Sequence, residues 1–204
     1  MASPALPPLR RSLTFGQFAN VFMIFGVLLI AAMMVPETQQ NLLNGRIAYS
    51  IWVSLVLATP ALCLYILALR SSAAQGYADL FYTFGYLAYL VHFYYTVFAH
   101  FGGFAGMWKN FPHPIALSNL ALTVLWAADV VLIWANPKPA GWLTAFRWNV
   151  RFFVFLSFFL SSIVFLPGQV TILGVVMTAC LAISLIIRIV RSRAASSTIP
   201  ASAH

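Results

Sequence analysis

Side chains able to do chemistry are scarce in this 204-residue chain, and they gather in one stretch. In or beside the segment Asp79 to Phe101 lie Tyr77, Tyr82, Tyr86, Tyr89, Tyr94 and Tyr95, six of the eight tyrosines. His92 and His100, two of the four histidines, lie there too. In apolar surroundings every phenol and imidazole needs a hydrogen-bond partner. At helical spacing Gly85, Ala88, His92, Thr96, Ala99 and Gly103 share one stripe, a groove of small residues with a single imidazole near its middle. Aromatic rings wall it on both sides. Such a groove lets another backbone, or a flat cofactor, come close. Two readings follow. Either a neighbouring helix fills the groove and His92 hydrogen-bonds across it, or His92 ligates a haem iron or passes a proton.

Asp129 is the second ionisable group inside an apolar segment. If its helix returns beside the one carrying His92, helix rise sets Asp129 about 6 Å to the cytoplasmic side of His92. Tyr89 falls between the two depths, which allows a His92–Tyr89–Asp129 cluster able to relay protons or hold a polar ligand head. The competing reading joins Asp129 to Arg147 or Arg151 at the inner interface. Tyr86, Tyr89, His92, Thr96 and Asp129 are the candidate ligand-binding residues. Asp129, His92 and Tyr89 are the candidates for catalysis. A weaker set, His100, Met107 and His113, combines thioether and imidazole near the outer surface, chemistry that suits Cu(I), though its spacing matches no metal motif.

The elements that must position these groups are membrane helices. The chain is 62% hydrophobic and 7% charged, with a mean hydropathy of +0.92. No soluble domain of this length has such a composition. Six segments approach the roughly 20 apolar residues that a span requires: 15–35, 48–69, 79–101, 115–135, 151–166 and 170–189. The fold class is therefore all-α, a polytopic six-helix transmembrane bundle occupying residues 15–190. A cytoplasmic tail, 1–14, precedes it, and an Ala/Ser-rich tail, 191–204, follows it and is expected to be disordered. Pro167-Gly168-Gln169 makes the last two spans a hairpin. Ser50, Ser54 and Ala58, and likewise Ser157 and Ser161, read as small-residue stripes for helix packing. Pro60 is expected to kink the second span, and Gly102, Gly103 and Gly106 to make the outer loop pliable. Cys63 and Cys180 read as packing residues.

Orientation follows from the loops. With both termini cytoplasmic, the inner side carries Arg10, Arg11, Arg70, Lys138, Arg147, Arg151, Arg188, Arg191 and Arg193, against Arg46 and Lys109 outside. Trp134, Trp142 and Trp148 mark the inner interface, Trp52 and Trp108 the outer one. The formal net charge of +8 thus reflects topology and not a nucleic-acid surface. The expected location is an inner (plasma) membrane of bacterial type.

Several functions are excluded. Lys109 and Lys138, the only lysines, lie in loops, so no intramembrane Schiff base can form. Four scattered histidines cannot build di-iron boxes, and no H-E-x-x-H, G-x-S-x-G or P-loop string occurs. At most one haem is compatible with the helical histidines. The reading that remains is a non-catalytic carrier or accessory subunit, with a hydrophobic small molecule or a membrane-protein partner at the aromatic third span. The alternatives are a single-haem electron-transfer protein with His92 as axial ligand, and an enzyme using Asp129 and His92 on a lipid-soluble substrate.

Overall fold

A computed structural model describes residues 13–38, 41–68, 71–135, 141–165 and 169–197. Those residues form seven helices and no strand: α1 (Phe15–Met34), α2 (Leu42–Leu67), α3 (Ser72–Tyr94), α4 (Phe104–Asn110), α5 (His113–Ala135), α6 (Trp142–Phe159) and α7 (Gln169–Ser197). A single 3-10 turn, Val35–Thr38, follows α1. Two π-helical turns, Tyr95–His100 and Leu160–Phe165, continue α3 and α6.

The helix starts are encoded locally. Thr14 caps α1 in a reciprocal box: its Oγ1 accepts from the Gln17 backbone N–H at 3.2 Å, and its own N–H donates to Gln17 Oε1 at 3.1 Å. The Gln17 amide also donates to the Ala73 carbonyl at 3.1 Å and so ties α1 to the start of α3. Asn41 and Ser71 cap α2 and α3 by accepting from the backbone N–H of Asn44 and Ala74.

Five segments are long and apolar enough to cross a membrane: Phe15–Glu37, Leu42–Leu67, His113–Ala135, Trp142–Val164 and Val170–Ala194. That fits an integral membrane protein, as do the exposed apolar residues along α1 and α7, such as Val27 at 65% and Ile172 at 70% exposure. The six-span expectation is not reproduced as drawn. α3 is absent from this set because Gln75, Asp79 and its tyrosines dilute its hydropathy, although it packs at the centre of the bundle against α2, α1 and α5.

Other boundaries differ as well. α3 starts seven residues before Asp79, which places that carboxylate about two turns inside a helix. α6 starts at Trp142, nine residues before Arg151, so Arg147 and Arg151 lie within a span and not in an inner loop. The glycine-rich outer loop folds into α4, entered through Gly102 and Gly103 at φ +72° and +109°. Gly106 has no room for a side chain against the Phe101 carbonyl. α7 stays helical to Ser197, well into the expected disordered tail. Residues 1–12, 198–204 and the Pro167-Gly168 turn lie outside the described residues. α2 runs on through Pro60, and both cysteines are free and half-buried.

Candidate functional site

The small-residue groove of α3 is filled by α2. Ser54 Oγ donates to the Gly85 carbonyl at 2.8 Å, and a Cβ on Gly85 would lie 3.2 Å from the backbone nitrogen of Ala58. Ser50, Ser54, Ala58 and Ala88 are fully buried in this seam. His92 completes it, with Nδ1 2.9 Å from the Ile47 carbonyl of α2 and Nε2 3.5 Å from Thr96 Oγ1. The imidazole thus hydrogen-bonds across the helix pair. A void of about 30 Å³ lined by Tyr89, His92, Thr96 and Asn119 adjoins it. That volume admits a water or two. It is a tenth of the roughly 300 Å³ at which pockets for drug-sized ligands begin, so the residues around His92 do not fit a porphyrin.

The stripe departs from its predicted course beyond Thr96. The π turn, closed by Phe101 N–H to the Thr96 carbonyl at 3.2 Å, inserts one residue. Val97 therefore becomes the buried position at 2% exposure, and Ala99 faces outward. The second π turn does the same to α6. Ser162, not Ser161, is buried and packs on Gly174 of α7.

Asp129 does not join Tyr89 and His92. Its carboxylate accepts from Arg147 Nε at 2.9 Å and from Arg151 Nε at 3.3 Å. α6 carries the two arginines one turn apart on one face, and α5 turns its acid toward them. All three are buried: Asp129 is 0% exposed, Arg147 5% and Arg151 7%. Asp79 of α3, also 0% exposed, accepts a 2.7 Å hydrogen bond from Tyr65 of α2. The Arg151 guanidinium carbon stacks 3.5 Å over the Tyr65 ring and lies 5.7 Å from the centre of Tyr82. Two carboxylates and two guanidinium groups on α3, α5 and α6, with Tyr65 of α2 between Asp79 and Arg151, so balance in charge, the condition under which buried charge is tolerated.

Beside this cluster, Trp126 is wholly buried and touches the rings of Tyr82, Tyr86, Tyr89 and Phe158 at centroid distances of 5.4 to 5.8 Å. The Tyr89 hydroxyl lies 3.1 Å from Thr123 Oγ1 and donates to the Asn119 carbonyl at 3.2 Å, while Tyr86 donates to the Thr123 carbonyl at 3.3 Å. Tyr86, Tyr89, His92 and Thr96 therefore sit on the α2 and α5 sides of α3, apart from the ion cluster that claims Asp129.

Met107 is buried at 2% exposure with Val97 and Ala116, whereas His100 and His113 are exposed and rest on Phe101 and Trp108. Among the described residues no group of three or more His, Cys, Asp or Glu side chains could hold a metal ion.

Asp79 and Tyr82 were singled out by position but assigned to no site, and Tyr65, Trp126 and the burial of Arg147 and Arg151 escaped the sequence reading. The available signal was the i, i+4 spacing of two arginines inside an apolar run, matched by two acids inside other apolar runs. Comparison with known proteins gives no match: no family model, no curated protein and no solved structure is significantly similar to the chain.

Proposed function

We propose that the chain is a six-span membrane protein with both termini cytoplasmic, α3 being the sixth span, and that its role is non-catalytic. It serves as an accessory subunit or carrier that meets a hydrophobic ligand or partner on the aromatic side of α3. Withdrawing Arg147 and Arg151 from the loop charges leaves seven basic residues inside against two outside, still a clear positive-inside bias.

The observation that carries this reading is the division of labour on α3. Asp79, Thr83, Tyr86, Tyr89 and His92 are engaged inside the bundle, and the rings left on its outer half are exposed. Tyr94 is 57% exposed, Phe98 44% and Phe104 of α4 49%. They form one patch, with Tyr94–Phe98 and Phe98–Phe104 centroids 5.9 and 5.3 Å apart. Tyrosine and phenylalanine are enriched at the buried cores of protein interfaces.

The test is site-specific photo-crosslinking from Phe98, with Ile172 on the lipid-facing side of α7 as the control. A single adduct of fixed mass, unique to Phe98, is expected. The same spread of lipid adducts from both positions would remove the binding role.

A further inference from the structure

α7 packs against α2 and α6 against α5, while α6 and α7 touch one another only sparsely. Between them opens a cleft of about 330 Å³ lined by Leu62, Ile66, Trp148, Phe155, Leu185 and neighbouring residues. Its exposed lining is almost wholly hydrocarbon, with Arg151 of the ion cluster and Thr178 as its polar members. Its rim includes Phe152 and Leu185, 61% and 49% exposed, which join it to the apolar outer surface of the bundle. One end is basic. Arg188 of α7 is exposed, and its Nη1 donates to the carbonyl of Ile66, a cleft residue, at 3.3 Å. Arg191 follows one turn on along the same helix.

No acidic side chain of the protein can answer these arginines. The chain has three: Asp79 and Asp129 are buried, and Glu37 pairs with Arg46 at 3.6 Å. Arg46 and Ile66 stand twenty residues apart on α2, about 30 Å along its axis. These arginines are therefore open to an anion from outside the chain.

We infer that this cleft binds an anionic phospholipid, one acyl chain lying between α6 and α7 and the phosphate meeting Arg188. Hydrocarbon depth beside a basic cytoplasmic mouth is the arrangement that recognises acidic lipid head groups between membrane helices. The inference rests on the membrane reading above and names one ligand class for it, at a site separate from the Tyr94–Phe98 patch.

The experiment reconstitutes the full chain into equimolar phosphatidylcholine and phosphatidylglycerol with identical acyl chains. Vesicle flotation comes first, then release into mild detergent and native mass spectrometry. The wild type is expected to retain one phosphatidylglycerol, preferred about fivefold over phosphatidylcholine, the discrimination of a single near-surface arginine. Arg188→Gln should bring the preference close to one while lipid is still retained. Ala182→Phe, filling the cleft from an exposed position on α7, should abolish retention. Absence of a retained lipid, a preference unchanged in Arg188→Gln, or retention unchanged in Ala182→Phe overturns the lipid site. A protein dimer in place of a lipid adduct assigns the cleft to a second copy and also overturns it. Protein that fails to float with the vesicles refutes the membrane reading itself.

Discussion

Asp129 shows how a single residue changes meaning once its neighbours are known. An acid in an apolar helix reads equally as a reacting group or as half of an ion pair. The choice depends on whether α5 and α6 bring Asp129 to Arg147 and Arg151, which they do at 2.9 and 3.3 Å. Asp129→Asn leaves two buried guanidinium groups against one remaining carboxylate and should cost about 3–5 kcal/mol of stability. Thermal unfolding in mild detergent reads that loss. Asp129→Leu combined with Arg147→Met removes one charge of each sign, keeps the remainder neutral, and should recover most of the stability. An Asp129→Asn protein as stable as the wild type would refute the structural role and return Asp129 to the list of reacting groups. His92 follows the same logic: its imidazole was legible as a helix-bridging group, but its partner, the Ile47 carbonyl, carries no side-chain signature and was beyond reading.

At the scale of elements, the α2–α3 seam was the most legible feature, because small residues recur along both helices at the helical repeat. Gly85 is its closest approach. Gly85→Ala forces a methyl group to within 3.2 Å of the α2 backbone and should cost about 1–3 kcal/mol. Gly26→Ala in α1, where nothing lies within 4 Å, should be neutral or slightly stabilising. Denaturant titrations of the two variants make the comparison, and equal behaviour would mean that the seam is looser than its geometry. Extrapolation of the helical repeat failed at the two π turns. Neither YTVFAH nor LSSIVF contains a residue that announces an extra backbone position, so Val97 and Ser162 were missed and Ala99 and Ser161 wrongly placed inward. The start of α6 was misjudged for a different reason. Arg147 and Arg151 lower local hydropathy, and only an acid on another helix makes them compatible with a span.

For the molecule as a whole, class was plain from composition, while arrangement was not. Hydropathy judges helices one at a time and ranks α3 below the other spans, because its polar groups are matched by α2 and α5. The buried ion cluster also constrains how the protein is made. An arginine at the centre of a lone membrane helix costs about 2.5–3.5 kcal/mol during insertion, and α6 carries two. Emerging from the ribosome by itself, α6 would be a poor substrate for the translocon. With α5 already waiting there, Asp129 neutralises much of that cost. Glycosylation mapping in a cell-free insertion assay should find α6 inefficiently inserted alone, efficiently inserted behind α5, and inefficient again when α5 carries Asp129→Ala. Equal insertion in all three would show that the pair forms only after both helices are in the bilayer. Insertion that depends on Asp129 makes the same salt bridge that holds the finished bundle together define α5 and α6 as the unit in which the nascent chain enters the membrane.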